Sequence, residues 1–185
     1  VISFYSQTVG SPKGIAIIEK KQLNLVFNNG KLLLNWDGKL ITLASGAYTT
    51  FGVSDLWYNS SQAEWDVQES NSKLIAMGRF YHLAMAQIWR IEVSDNYEIK
   101  WDIEIELEKD TPLPEVYVNI ALVEGYKKWF ADSEQGEFPV IKEEDKYWKS
   151  VTLRNNSNAC IGVYSQNPSS AKLPALIFEQ VRLRY

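Results

Sequence analysis

Residues 87–107, QIWRIEVSDNYEIKWDIEIEL, decide the fold. From Ile99 every odd position is apolar (Ile99, Trp101, Ile103, Ile105, Leu107) and every even position is charged. A repeat of two marks a β-strand with one buried face and one wet face. The stretch before it repeats the pattern, with Trp89, Ile91 and Val93 on one side and Arg90 and Glu92 on the other. Ser94, Asp95 and Asn96 between the two runs are turn residues.

The register of this hairpin follows from one rule, that directly opposed residues share a face. A two-residue loop at Asp95 and Asn96 would set Glu92 against Ile99, mixing the faces. A three-residue loop, Asp95 to Tyr97, sets Val93 against Ile99, Ile91 against Trp101 and Trp89 against Ile103. The wet face then pairs Arg90 with Asp102 and Glu92 with Lys100, opposite charges in both cases. The same alignment puts Trp89, Trp101 and Ile103 together in the core.

Working outward, residues 23–43 read as a meander. Asn29-Gly30 is a strong hairpin signal, because a type I′ turn needs positive φ at both central positions. It opposes Phe27 to Leu32, Leu25 to Leu34 and Leu23 to Trp36. Asp37-Gly38 makes a second turn, bringing Leu34 against Ile41 and Leu32 against Leu43. Residues 45–62, SGAYTTFGVSDLWYNSSQ, lack clear periodicity and read as a long loop or broken strand. Ala63, Trp65 and Val67 then alternate with Glu64, Asp66 and Gln68, and Asn71-Ser72 turns the chain into residues 74–80. Val116, Val118, Ile120 and Leu122 form another strand, with Tyr117, Asn119 and Ala121 on its reverse face. Residues 125–149 are the least regular and admit a short helix over 126–132. Residues 151–153, 160–164 and 176–183 read as closing strands. With no sustained helical period, short strands at regular spacing predict an all-β antiparallel sandwich with long aromatic-rich loops.

The 185 residues read as one domain, large enough to bury roughly 70% of the unfolded surface. The start VISFYSQT carries neither an initiator Met nor a signal pattern, so the expectation is a module from a longer protein or a mature chain. A net charge of −4 without any run of Lys or Arg argues against nucleic acid or an anionic membrane as partner. The single cysteine, Cys160, excludes an internal disulfide and reads as a small buried hydrophobe. Asn59-Ser60-Ser61 and Asn155-Asn156-Ser157 satisfy the glycosylation sequon.

Catalytic signatures are sparse. One His and one Cys make a structural zinc site improbable, and no motif places His82 in a nucleophilic triad. Asp102, Glu104 and Glu106 share a strand face with Glu92, and paired carboxylates are what glycoside hydrolysis uses. Arg90 and Lys100 on the same face make a solvated strand the simpler account.

Aromatic content is the stronger lead, with seven Trp and ten Tyr. Trp36, Trp65, Trp89 and Trp101 fall on apolar faces and belong to the core. Trp57 and Tyr58 in a polar stretch, and Tyr126 with Trp129 in GYKKWF, have no such place. Sugars present apolar C–H faces and polar edges, which aromatic rings and nearby polar groups satisfy together. The expected binding set is therefore Trp57, Tyr58, Tyr126 and Trp129, with Arg79, His82 and Gln87 supplying polar contacts.

The segments YTTFGVSDLWYNSSQAEWDV, LIAMGRF, QIWRIE, IKWDIEIEL and EGYKKW resemble the β-sandwich domains attached to bacterial and archaeal polysaccharide-processing proteins. Those are similar in pattern to the galactose mutarotase-like supersandwich. The resemblance spans the middle half of the chain and consists of strand-and-turn patterns. Mutarotases use two histidines and a carboxylate, whereas this chain has one histidine. The final LIFEQVRLRY resembles the closing strand of jelly-roll carbohydrate-binding modules, which often hold a structural calcium; no Asp/Asn cluster here marks such a site, and no cofactor is expected. The resemblance implies a non-catalytic carbohydrate-binding module, extracellular or at the cell surface, working beside other domains of a parent chain. Two alternatives stand: a sugar-active enzyme domain (epimerase, lyase or hydrolase) using Glu104 or Glu92 with His82 and Arg79, and a structural or adhesin module.

Overall fold

The computed structural model of the chain describes residues 14–53, 55–108, 115–140, 160–165, 173–179 and 183–184. The described residues form an all-β protein of several antiparallel sheets, with two short 3-10 turns and no α-helix. The first sheet begins with β1 (Ile15–Lys20), β2 (Leu23–Asn28), β3 (Leu32–Trp36), the two-residue β4 (Lys39–Leu40), β5 (Thr42–Val53) and β6 (Leu56–Asn59). The second holds β7 (Glu64–Ser70), β8 (Lys73–Phe80), β9 (Met85–Val93) and β10 (Ile99–Leu107) in consecutive antiparallel order. β11 (Val116–Leu122) then returns to the first sheet beside β5. A third sheet is built from β12 (Lys128–Ala131), β13 (Glu134–Glu137), β14 (Ile161–Tyr164) and β15 (Leu176–Phe178). β16 (Leu183–Arg184) lies parallel to β10 at the edge of the second sheet.

The central hairpin has the register that its two faces demand, with Val93 opposite Ile99, Ile91 opposite Trp101 and Trp89 opposite Ile103. Its three-residue loop closes with Tyr97 at φ 66, a left-handed residue of the kind such loops use. Arg90 is opposite Asp102 and Glu92 opposite Lys100. The ion pairs nonetheless run elsewhere. Arg90 reaches Glu104 at 2.7 Å, Lys100 reaches Asp102 at 3.4 Å on its own strand, and Glu92 pairs with Lys73 of β8 at 3.1 Å. All are exposed enough that each contributes only tenths of a kcal/mol.

The meander agrees equally well at Phe27–Leu32, Leu25–Leu34 and Leu23–Trp36, and both turns have positive φ at their central pair. It departs after Ile41, whose N–H still bonds the Leu34 carbonyl at 2.9 Å. Leu32 opposes Ala47 rather than Leu43, and Leu43 is solvent-exposed. Thr42 draws the chain inward by accepting the Leu34 N–H through its hydroxyl at 3.1 Å, and Gly46 takes φ 63 where a Cβ would strike the Leu32 carbonyl. The four extra residues form an outward bulge.

One alternative is decided and one expectation corrected. Of the long loop and the broken strand, residues 45–62 form the strand, interrupted between β5 and β6 to make a hairpin and followed by a capped 3-10 turn at Ser60–Gln62. Its alternation is real but is carried inward by Ala47, Thr49 and Phe51, all buried. The short helix over 126–132 is instead strand β12, turning back into β13 through Asp132 at φ 50. The strand expected at residues 151–153 and the sequon at Asn155 lie outside the described residues.

The core lies between the inner faces of the first and second sheets. Phe27 of β2 meets Trp65 of β7 edge-on at 5.2 Å and Trp89 of β9 at 5.7 Å, and Phe51 of β5 meets Phe80 of β8 at 5.0 Å. Trp101 packs on Trp89 at 4.7 Å but is only half-buried, so it borders the core instead of filling it. Through this apolar layer runs a line of hydrogen bonds. The fully buried Gln87 accepts from the Thr49 hydroxyl at 2.8 Å and from the Trp89 indole at 3.0 Å. Thr49 N–H donates to the Ser60 hydroxyl, Ser60 donates to the Gly30 carbonyl, and the Trp65 indole donates to the Ser60 carbonyl.

Gln87→Leu keeps the volume but leaves the Thr49 and Trp89 donors without their acceptor. Each orphaned buried donor costs about 1–3 kcal/mol, while loss of the buried Gln87 amide nitrogen, which has no partner among the described residues, returns one such cost, so stability is expected to fall by about 1–3 kcal/mol. Urea unfolding measures this. An unchanged midpoint would show that these groups find other partners.

Candidate functional site

The outer face of the first sheet carries the exposed aromatic cluster, and strand register explains its membership. In the β5–β6 hairpin Gly52 opposes Trp57, Phe51 opposes Tyr58 and Thr50 opposes Asn59. Phe51 is fully buried, so Tyr58 points inward and stacks on it at 5.8 Å and 18°. Trp57 and Asn59 therefore point outward with Gly52 and Thr50. On the other side of β5, Tyr117 opposes Thr50 and Asn119 opposes Tyr48, which puts both β11 residues on the same outer face.

Trp57 is 56% exposed and Tyr117 49%, yet their rings stack at 5.8 Å and 30°. They come from strands on opposite sides of β5 and meet across it beside Gly52, which puts no side chain in the way. Polar groups flank the pair. The Tyr117 hydroxyl donates to the Glu115 carboxylate at 2.9 Å, and this bond holds the phenol above its ordinary pKa. Asn119 donates its amide to the Thr50 hydroxyl at 3.0 Å. Asn59 uses its side-chain oxygen to cap the 3-10 turn, accepting from the Ser61 N–H, which leaves its amide NH₂ outward-capable.

The seven residues expected to bind ligand do not converge. Trp57 lies on this face; Tyr58, as its immediate strand neighbour, does not, because adjacent strand residues point to opposite faces. Tyr126 is 5% exposed and belongs to the core, a correction to its reading as a platform ring. Trp129 sits half-buried on β12 in the third sheet, its indole donating to the Glu137 carbonyl at 3.3 Å and its ring covering Gly136. Arg79 is on the outer face of β8, paired with Asp66 at 3.1 Å. It lines a depression with Tyr81, Glu104, Glu106 and Glu108, of about 920 Å³. His82 is exposed in the 3-10 turn Tyr81–Leu83 and is not among the residues lining that depression. Gln87 is fully buried and cannot touch a ligand, a second correction; position 87 falls on the same strand face as Trp89 and Ile91, and a polar residue there signals an internal hydrogen bond.

Sequence reading passed over Tyr117. Its signal was present, since Val116, Val118, Ile120 and Leu122 face inward and so turn Tyr117 out. What the linear pattern lacks is its neighbour, which the β5–β11 register supplies from about sixty residues away. The described residues include no group of His, Cys, Asp and Glu able to hold a metal ion. The carboxylates of the second sheet that an enzyme would need, Glu92 and Glu104, are each engaged by a basic side chain. Comparison with known proteins is silent: no family model, no curated protein and no solved structure matches the chain.

Tyr126 offers a test of its burial. Its hydroxyl finds no partner among the described residues, and burial pushes its pKa up to about 12. An unfolded chain ionises tyrosine near 10. Its contribution to stability is thus complete below about pH 10 and is lost as pH rises through about 12. Tyr126→Phe is expected to flatten the alkaline fall of the urea midpoint and to leave the neutral midpoint unchanged or higher. An alkaline slope identical to the parent's would place the phenol in water.

Proposed function

We propose that the chain is a non-catalytic carbohydrate-binding module of β-sandwich type, with its ligand face centred on Trp57 and Tyr117. The observation that carries this reading is the pairing of two large, half-exposed rings on an open sheet face among hydroxyl, amide and carboxylate groups. Single exposed hydrophobes are ordinary on protein surfaces; a stacked pair with convergent polar groups is what a sugar, with apolar faces and hydroxyl edges, requires. The expected partner is a polysaccharide or oligosaccharide. Tyr117, Thr50 and Asn119 replace Tyr58, Tyr126 and Gln87 in the binding set. The edge-on aromatic contacts between the first two sheets support a sandwich of the jelly-roll or supersandwich kind.

The competing account makes the pair a lid on Gly52, with purely structural work to do. Affinity electrophoresis in soluble polysaccharides, run beside thermal melts, separates the two. Each exposed ring is expected to contribute about 1 kcal/mol of stacking, so Trp57→Ala and Tyr117→Ala each weaken binding about five-fold. Melting temperatures stay near the parent's. A lowered melting temperature with binding unchanged would identify the pair as structural.

A further inference from the structure

We infer that the Trp57–Tyr117 face takes neutral polysaccharides and discriminates against acidic ones, an inference that rests on the carbohydrate-binding reading above. The first ground is charge. β5, β6 and β11 contain no lysine or arginine. The charges next to them in sequence that bear on this end of the face are Asp55, in the β5–β6 turn, and Glu115, directly ahead of β11, both exposed and both acidic. Leu32 opposes Ala47, so among the described residues the cation next to this pairing is Lys31, just ahead of β3 at the margin of the face. An anionic chain laid over the rings would therefore meet the Glu115 carboxylate with no guanidinium or ammonium group on these strands to neutralise it.

The second ground is the balance of donors and acceptors. Glu115 spends one oxygen on the Tyr117 hydroxyl and keeps the other. Asn119 donates its amide to Thr50 and keeps its carbonyl oxygen as an acceptor, while the Thr50 hydroxyl, having accepted, keeps its proton to donate. Asn59 has committed its oxygen to the cap and keeps only its amide donor. The face thus offers at least two acceptor groups, one of them charged, against neutral donors alone. Sugar hydroxyls both donate and accept and can satisfy such a set. The carboxylate of a uronate, or a sulfate group, only accepts, and where it meets Glu115 leaves that carboxylate unmatched and repelled. The two rings stack on each other, and each keeps about half of its surface in solvent to meet the apolar face of a sugar unit.

The test compares retardation of the chain in gels containing mixed-linkage β-glucan, glucomannan or galactomannan with gels containing polygalacturonate or alginate, at low and high salt. Neutral polymers are expected to retard the chain, and acidic ones several-fold less at low salt. High salt narrows that gap by screening exposed charge, and Glu115→Gln narrows it without salt. An acidic polymer held more tightly than every neutral one, and released by Trp57→Ala, overturns the neutral class while the carbohydrate reading stands. If no polymer retards the chain, or if Trp57→Ala and Tyr117→Ala leave retardation unchanged with the fold intact, the carbohydrate reading falls and this inference with it.

Discussion

The hydrogen bond from Thr49 to Gln87 ties the two principal sheets together through an otherwise apolar layer. Apolar contact between sheets is non-directional and tolerates sliding, whereas a buried donor without its acceptor costs about 1–3 kcal/mol. Gln87 accepts from both Thr49 and Trp89, and Ser60 links Gly30, Thr49 and Trp65. A one-residue slide of the first sheet against the second would break the Thr49–Gln87 and Trp65–Ser60 bonds together. The polar line therefore selects one relative placement of the sheets, while the aromatic layer supplies the bulk of the burial energy.

That placement reaches the outer surface. Thr49 and Phe51 are held inward, so Tyr48, Thr50 and Gly52 must face out. The 3-10 turn that presents Ser60 to the core also ends β6, and its capping box fixes Asn59 with Trp57 two residues before it. The exposed aromatic pair is consequently built on a β5–β6 hairpin whose inner side is locked by the hydrogen-bond line and by Tyr58 stacked on Phe51. Side chains on rigid strands keep their spacing better than side chains on loops, which suits a binding surface that works without closing around its ligand.

The outer faces of the two sheets differ in kind. The second is laced with charge, with Lys73–Glu92, Arg79–Asp66, Arg90–Glu104 and Lys100–Asp102 spread along its strands. Such interspersed pairs give little stability, but they keep an open sheet face soluble and hostile to pairing with another apolar surface. On β5, β6 and β11 no basic residue occurs at all, and aromatic and amide groups take its place.

The sequence by itself determined the alternating strands β2, β3, β7 to β10 and β11, both tight turns of the meander, and the full register of the central hairpin. A repeat of two with a fixed loop length leaves a single alignment that keeps both faces consistent. It could not determine which oppositely charged neighbour Arg90 reaches, because long side chains choose diagonally among partners within a few ångströms. Tertiary structure also decided the role of the polar core residues. Gln87 reads as surface chemistry in a linear pattern and Thr49 sits in a stretch without clear periodicity, and only the facing sheets supply the partners that make their burial favourable. The same holds for the candidate site. Alternation within β6 separates Trp57 from Tyr58, but the ring that stacks on Trp57 arrives on β11, and that long-range pairing follows from how the sheet closes on β5.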